Sequence, residues 1–378
     1  YPEEAFSLMR TIMGERARMY CTGLGKAMMA YLPEKEVEEY IINLLSLILT
    51  QRLHLIVYHD RWLYFFNGKY FEPCPSKQEL QCILRELCEA AAYLWKRFSV
   101  HDKTVKRLLS HVQQNAVKVD YPPDISKYVV FENGVLNLDT LELEDFTPQK
   151  FFTSMIHADW LAENKACPEY EKVINTYTNH EAPLNKRINE VLGVCLTNDM
   201  VKKLFCFLGV TNSGKTFLLS FLLRLFNNSA TVTMQPNDLG RQFAPSMVYG
   251  KSLCCCMDMD SAPLNTKATA FLKGISGADM LSAEFKGENG SVPFQSRAHI
   301  INASNYDITT KMPDAAFDMR KLVIPFKYRL TDNAEPFEVL MDKLEREKAA
   351  IVRKLILAYK ALKDNHYEFS DSEEGESY

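Results

Sequence analysis

The second half of the sequence predicts an α/β fold, preceded by a mixed α+β region and followed by a long helix. Three observations support this prediction. Apolar runs of strand length occur at 204–208, 299–303 and 322–326. A glycine-rich turn separates the first run from a helix-like stretch at 217–226. Residues 336–363 combine many charges with a helical apolar pattern, which is typical of a helix packed on the outside of a core.

The first half of the sequence changes its periodicity several times. An apolar stripe at helical spacing runs from Glu34 to Leu49, directly after Pro33, and predicts a helix. The expected elements are, in order, helical residues 1–50, strands at 53–58 and 62–66 joined by a turn at 59–61, helical residues 77–118, short strands within 129–143, a loop at 165–168, and helices at 169–178 and 185–196.

These patterns predict three parts. Residues 1–165 form an N-terminal α+β domain, and residues 166–330 form the α/β core. Residues 331–378 supply the C-terminal helix and an acidic tail, which is expected to be disordered because it carries little apolar surface. The chain begins at Tyr1 rather than Met, so we expect it to be part of a longer protein.

The composition is that of an ordinary globular protein. The chain has 378 residues, of which 47% are hydrophobic, and a formal net charge of −4. Because no overall basic field exists, contact with nucleic acid would depend on a local basic surface such as a pore. Residues 41–50 are too short an apolar run to span a membrane, and no secretory signal is present, so we expect no membrane partner.

The ten cysteines predict neither disulfides nor a metal centre. No Cys-x-x-Cys pair occurs, and the spacing of Cys74, Cys82, Cys88 and His101 is irregular for a zinc site. Cys254–Cys256 lie in one apolar run, where cysteine behaves as a small buried hydrophobic residue. This free use of cysteine indicates a reducing, cytoplasmic location.

Residues 209–216 read Gly-Val-Thr-Asn-Ser-Gly-Lys-Thr, the Gly-x-x-x-x-Gly-Lys-Thr phosphate loop (P-loop), with a strand before it and a helix after it. Glycines let the backbone N–H groups wrap a polyphosphate, and the helix directs its positive end at the same anion. We therefore expect ATP and Mg²⁺ as cofactors, with Lys215 on the β/γ-phosphates and Thr216 on the metal. The nucleotide-binding residues are Gly209, Val210, Thr211, Asn212, Ser213, Gly214, Lys215 and Thr216.

Three later features could complete a hydrolytic site. Asp258 and Asp260 end an apolar run, where Asp258 could support Mg²⁺ and Asp260 could position water. The alternative interpretation is a solvated turn after a buried strand. Asn305 ends the next apolar run, where its amide could bind the γ-phosphate, although asparagine is also a common turn residue. Arg320 precedes the last run and could act in trans on a neighbour's phosphate, although a lone arginine is usually solvated.

In this order and spacing, these residues resemble the superfamily 3 helicases, which are AAA+ motors of viruses, phages and mobile elements. The resemblance extends to the poxvirus- and satellite-phage-type primase-helicases. The matching segments are Gly209–Thr216, Asp258 with Asp260, Ala303-Ser304-Asn305, Arg320 with Pro325-Phe326, Phe131–Leu138, Cys167-Pro168 and Val191-Leu192-Gly193. The chain departs from the family at its two acids, which are usually glutamates, and at Met319, where a second arginine is common. Which of Asp258 and Asp260 would act as the base therefore stays open.

The resemblance implies a P-loop AAA+ core that assembles as a homo-hexameric ring and moves along single-stranded DNA in the 3′→5′ direction. The N-terminal part would be a collar or loading domain, and a primase domain or protein would be a partner, upstream in a longer parent chain. In such motors a hairpin before the asparagine strand projects into the pore. Here the Gly- and Asn-rich turn at 286–290 predicts that hairpin, with Lys286 and Phe285 as DNA contacts and Lys273 as a weaker candidate.

Two other classes of protein also use a P-loop. A nucleotide-dependent oligomeric switch would keep Lys215 and Asp258 but would need no basic residue in a pore. A small-molecule or nucleoside kinase would act as a monomer and would need an acceptor pocket, for which the sequence offers no candidate.

Overall fold

The computed structural model describes residues 33–59, 62–74, 77–94, 99–119, 125–259, 261–286, 290–330 and 335–370, without the side chains of residues 62, 77, 94 and 258. The chain divides into two compact units, Tyr1–Pro122 and Pro123–Tyr378. The first 32 residues of the predicted helical segment 1–50 lie outside the described part of the chain, as does the tail from residue 371.

In the described part of the first unit, three helices pack on a four-stranded sheet of order β3-β2-β1-β4. The predicted helix at 34–49 and strand at 62–66 are confirmed, whereas the strand expected at 53–58 begins only at Ile56. Its elements are α1 (Glu34–Arg52), β1 (Ile56–Tyr58), β2 (Trp62–Phe66), β3 (Phe71–Pro73), α2 (Lys77–Leu94), α3 (Asp102–Asn115) and β4 (Val117–Val119).

The end of the helix predicted at 77–118 is wrong. Residues 117–119 form β4, which pairs in parallel with β1 so that Val117 lies opposite Ile56. Val117 and Val119 are β-branched and favour a strand, and the helical stripe of α3 ends at Val112. For these residues, pairing with the edge of β1 is therefore more favourable than continuing the helix by one turn.

The second unit is built on a five-stranded parallel sheet of order β14-β8-β13-β10-β9. All the strands predicted for the core are present, and an additional strand lies at one edge. Its elements are β8 (Leu204–Gly209), α6 (Lys215–Arg224), β9 (Thr231–Met234), α7 (Ala244–Val248), β10 (Leu253–Met259), α8 (Thr266–Ser276), β11 (Met280–Glu284), β12 (Ser291–Gln295), β13 (His299–Ser304), α9 (Ala315–Asp318), β14 (Lys321–Phe326) and the C-terminal helix, labelled α10 (Phe337–Asp364).

The central sheet separates two hydrophobic cores. In β8, Phe205 and Phe207 join one core, while Leu204 and Cys206 join the other. Successive side chains of a strand point to opposite faces of the sheet, so this alternation shows that both faces of β8 are buried. Burial on both faces is usual in parallel sheets. The three cysteines of β10 follow the same pattern and are fully buried, which confirms their predicted role as small hydrophobic residues.

The residues before the core pack with it rather than with the first unit. Here lie β5 (Tyr128–Phe131), β6 (Gly134–Asn137), β7 (Leu143–Glu144), α4 (Pro168–Thr178) and α5 (Ala182–Cys195). Phe131 and Trp160 belong to the same hydrophobic core as β8. The compact units therefore divide near residue 122, whereas the sequence placed a boundary at 165. The functions assigned to the three predicted parts stay predictions.

The C-terminal helix α10 lies on α5. A Cβ atom on Gly193 would come within 2.2 Å of the carbonyl oxygen of Leu355, so the two helices approach closely only because residue 193 has no side chain. Beyond the helix, the backbone N–H of Ser370 donates to the buried carboxylate of Glu190 at 2.8 Å. The helix and the residues after it are thus part of the core unit. None of the described helices has the length and apolar character to cross a bilayer.

Candidate nucleotide-binding site

The P-loop connects the end of β8 to the start of α6. Asn212 and Gly214 adopt left-handed backbone conformations, with φ of 57° and 91°. A Cβ atom on Gly214 would lie 2.3 Å from the ring of Tyr177, so only glycine fits beneath that ring. Helix α6 then begins at Lys215, which directs its N-terminal N–H groups into the loop.

The loop is fixed to the neighbouring strand. A Cβ atom on Gly209 would lie 2.0 Å from the carbonyl oxygen of Phe326, because β14 and β8 approach closely there. The same carbonyl accepts a hydrogen bond from the N–H of Val210 at 3.0 Å, and the N–H of Leu330 donates to the carbonyl of Asn212 at 2.8 Å. These contacts fix the loop to β14 and to the segment that follows it.

The ammonium group of Lys215 is buried inside the loop. It donates to acceptors that include two backbone carbonyls, a hydroxyl and a side-chain amide. The distances from Nζ are 2.9 Å to Gly209 O, 2.6 Å to Val210 O, 3.2 Å to Ser213 Oγ and 3.0 Å to Asn305 Oδ1. A buried cation is stable only with such partners, and phosphate oxygens are stronger acceptors than these neutral groups.

Asn305 reaches the loop from the adjacent strand. Ser304, the last residue of β13, lies opposite Leu208 in β8, so the next residue emerges beside the P-loop. The Nδ2 of Asn305 donates to Thr211 Oγ1 at 3.3 Å. Ser304 is buried, and its Oγ lies 2.9 Å from the carbonyl oxygen of Met259, which links this strand to β10. The structure therefore brings Lys215 and Asn305 together as the sequence analysis expected.

Of the two candidate acids, Asp258 lies near the carboxyl end of its strand, at the same edge of the sheet. Asp258 belongs to β10, and the next residue, Met259, lies opposite Ser304. Asp260 lies outside the described residues, so both carboxylate assignments stay predictions. Thr216 is exposed in the first turn of α6 and lines the cavity at the loop. Within the described residues, no group of three His, Cys, Asp or Glu side chains could hold a metal ion.

A cavity of about 800 Å³ opens from the P-loop. Residues of the loop and of Ser304–Tyr306 line it. Its lining also includes residues of α4 and of the segment at the start of α10, of which Val173, Phe337 and Leu340 are apolar and Lys172, Thr176 and Glu335 are polar or charged.

Arg320 lies at the opposite edge of the sheet from the loop. Its carbonyl accepts a hydrogen bond from the N–H of Leu204, the first residue of β8, at 2.7 Å. The loop begins at the other end of that strand, five residues on, which is about 17 Å at strand spacing. The guanidinium donates from Nη1 to the carbonyl of Lys273 at 2.7 Å. Arg320 therefore does not join Lys215 within one subunit.

The predicted hairpin is present. Strands β11 and β12 pair antiparallel, and Lys286 is exposed just after β11; residues 287–289 of the turn lie outside the described part. Phe285 is half-buried, and its ring meets that of Tyr249 edge to face at 5.7 Å between centroids. Packing therefore gives Phe285 a structural role in this fold, and its DNA contact stays a prediction.

Lys273 does not belong to the hairpin. It lies in α8, where its Nζ is 2.6 Å from Oδ2 of Asp314. The hydrogen bond from Lys273 holds the pKa of the Asp314 carboxyl below its usual value. Because this lysine already has a carboxylate partner, a DNA phosphate would have to compete with Asp314 for it.

Sequence reasoning missed two residues that shape the loop. Tyr177 covers Gly214, and Phe326 holds Gly209 and Val210 through its carbonyl. Tyr177 lies in the helix predicted at 169–178, and the sequence contains no signal that links it to Gly214, 37 residues further on. The Pro-Phe pair at 325–326 enters the sequence analysis only through the family resemblance.

Together, these features define an α/β protein with a loop of P-loop sequence at the carboxyl edge of a parallel sheet. Residues 8–179 match the family described as D5 N terminal like, and residues 207–320 match a family of unknown function, DUF5906. A search of curated proteins gave no match.

Solved structures of the NrS-1 C-terminal region share the fold. An apo structure of its residues 305–718 has a TM-score of 0.55 at 13% identity, covering 87% of this chain and 76% of that chain. An A-form apo structure has a TM-score of 0.53 at 13% identity, covering 84% of this chain and 71% of that chain. The chain therefore shares the fold of this region, and its first half resembles the D5 N terminal-like family.

Proposed function

We propose that this chain is the ATP-driven DNA helicase motor of a viral, phage or mobile-element replication protein. The observation that supports the proposal is the 3.0 Å contact between Lys215 Nζ and Asn305 Oδ1, which brings a P-loop cation and an amide from the neighbouring strand together. In this proposal, both groups bind the γ-phosphate of a triphosphate.

In this proposal the chain hydrolyses ATP with Mg²⁺. Lys215 and the loop N–H groups bind the phosphates, and Thr216 and Asp258 hold the metal ion. Asp260 positions water, and Asn305 senses the γ-phosphate. Stabilisation of the developing negative charge by fixed donors is the main catalytic effect expected of such a site.

The location of Arg320 supports assembly into a ring. About 17 Å of strand separates it from the loop of its own subunit, so any role of Arg320 at a nucleotide would be at a neighbour's site. We propose a homo-hexamer in which Arg320 of one subunit reaches the nucleotide of the next. The hairpin with Lys286 would face single-stranded DNA in the pore, and a primase domain would act on the same DNA.

The test measures ATP hydrolysis with and without single-stranded DNA, together with strand displacement on a forked duplex. The proposal expects DNA-stimulated hydrolysis and unwinding, both abolished in Lys215→Ala. Hydrolysis without DNA stimulation or unwinding would instead support the nucleotide-dependent switch, and failure to bind ATP would reject both functions.

A further inference from the structure

The cavity at the P-loop has a chemically mixed lining. The phosphate loop and Asn305 contribute polar groups, and three helices contribute apolar side chains. At about 800 Å³, the cavity has room for more than a triphosphate chain. The apolar side chains include those of Val173, Tyr177, Phe217, Phe337 and Leu340.

Phe337 stands out among these residues because it is 43% exposed, whereas Tyr177 and Phe217 are buried. It is the first residue of α10, and its ring meets that of Phe217 edge to face, with 5.2 Å between centroids and an interplanar angle of 80°. Phe217 in turn follows Thr216 directly. An aromatic ring is therefore held next to the P-loop helix with part of its surface open to the cavity.

Charged side chains fix the start of α10 that carries Phe337. Glu335 lies 3.4 Å from Lys172 of α4 and 2.7 Å from Lys343 of α10 itself. Glu338 lies 3.4 Å from Arg224, at the end of the P-loop helix. Each exposed pair contributes little alone, but together they tie this segment to both helices that flank the cavity.

We propose that the apolar lining around Phe337 is a nucleobase subsite, in which the base stacks on Phe337 while the phosphates occupy the loop. This inference rests on the proposed nucleotide-binding function and adds to it the residue that holds the base. Every base presents an aromatic face, so the subsite accepts purines and pyrimidines and favours purines through their larger stacking area.

The experiment measures binding of ATP, CTP and inorganic tripolyphosphate by calorimetry to the wild-type chain and three variants. Phe337→Ala is expected to weaken ATP binding about tenfold, as for loss of one base–aromatic stack, and to leave tripolyphosphate binding within about twofold. Phe337→Tyr keeps the ring and is expected to retain ATP affinity. Phe243→Ala, which removes an aromatic of similar exposure (39%) outside the cavity, is the matched control.

Three results would overturn the subsite. Unchanged ATP affinity in Phe337→Ala, with normal binding by the wild-type chain, rejects the stacking role and leaves the proposed function intact. Equal weakening of ATP and tripolyphosphate shows that the ring supports the loop rather than a base. If the wild-type chain binds neither ligand, the proposed function itself fails.

Discussion

The ammonium nitrogen of Lys215 lies 3.0 Å from Oδ1 of Asn305, although the two residues are 90 positions apart in the chain. The contact exists because β8 and β13 are adjacent and parallel, so that both residues emerge at the carboxyl edge of the sheet. If the chain binds a nucleotide as proposed, a phosphate replaces Asn305 as a partner of Lys215 and leaves the amide to bind the same phosphate. Under that proposal, nucleotide binding and the position of Asn305 are linked.

Replacing Asn305 is expected to impair hydrolysis more than binding. Asn305→Ala should lower kcat about a hundredfold, as for loss of one preorganised donor, with little change in ATP affinity. Asn305→Asp should lose the donor and also weaken binding, because a carboxylate repels the γ-phosphate. Steady-state hydrolysis and equilibrium binding of a fluorescent ATP analogue separate the two effects. Equal kcat values for the wild-type chain and Asn305→Ala would contradict this role.

Arg320 is expected to act across a subunit interface. Arg320→Ala should lower hydrolysis by about a thousandfold or more. Mixing it with Lys215→Ala should restore part of the activity, because some interfaces then join an intact loop to an intact arginine. Arg241→Ala, which alters an exposed arginine paired with Asp238, is the control. If the mixture stays as inactive as its components, Arg320 does not act in trans.

Lys286 is expected to couple hydrolysis to DNA. Lys286→Ala should keep basal hydrolysis and lose both DNA stimulation and unwinding, since the exposed lysine would contact backbone phosphate. Lys267→Ala changes an exposed lysine of α8 and should behave as wild type. Unwinding that survives in Lys286→Ala would refute the pore assignment and favour the nucleotide-dependent switch.

The two glycines Gly209 and Gly290 provide a matched test of the loop's packing. Both have positive φ, 153° and 85°, but only at Gly209 would a Cβ atom meet another atom closely, 2.0 Å from the carbonyl oxygen of Phe326. Gly290→Ala should cost about 1 kcal/mol from backbone strain alone. Gly209→Ala should cost more than about 3 kcal/mol, because β14 must also move. Urea unfolding measures both, and equal losses would show that the strands adjust freely.

His299 is expected to make stability depend on pH. Burial lowers its pKa to about 4 from 6.5, opposed by the hydrogen bond that its Nε2 shares with the carbonyl of Thr197 at 3.1 Å. Below pH 6.5 the unfolded chain takes up a proton that the folded chain refuses until about pH 4, so the free energy of unfolding falls across that window. Between pH 7.5 and 5 this loss is about 2 kcal/mol.

The control for this effect is a variant that cannot titrate. In His299→Gln, urea unfolding at pH 7.5 and pH 5 should differ by about 2 kcal/mol less than in the wild-type chain. If both proteins lose the same stability on acidification, His299 is not the group responsible.

The core strands and the P-loop could be predicted because their signals are local: apolar runs, glycines at fixed spacing and a helix that follows directly. Other features depend on distant residues. Strand β4 forms because β1 offers an edge to Val117, and Tyr177 meets Gly214 only through tertiary packing. Likewise, the sequence identifies Arg320 as a candidate through its position before the last strand. Only the parallel register of β14 and β8 shows that it lies at the opposite end of these strands from its own loop.

The bond from Arg320 to the carbonyl of Lys273 lies near the end of α8, a few residues before the hairpin. If Arg320 binds a neighbour's nucleotide as proposed, a displacement of its guanidinium would also displace the C-terminal end of α8, which precedes the hairpin. Linkage of this kind is reciprocal, so DNA that shifts the hairpin must also change how well Arg320 fits the next subunit. Such an arrangement would determine the order in which the subunits hydrolyse ATP. The DNA would then regulate hydrolysis as well as being translocated.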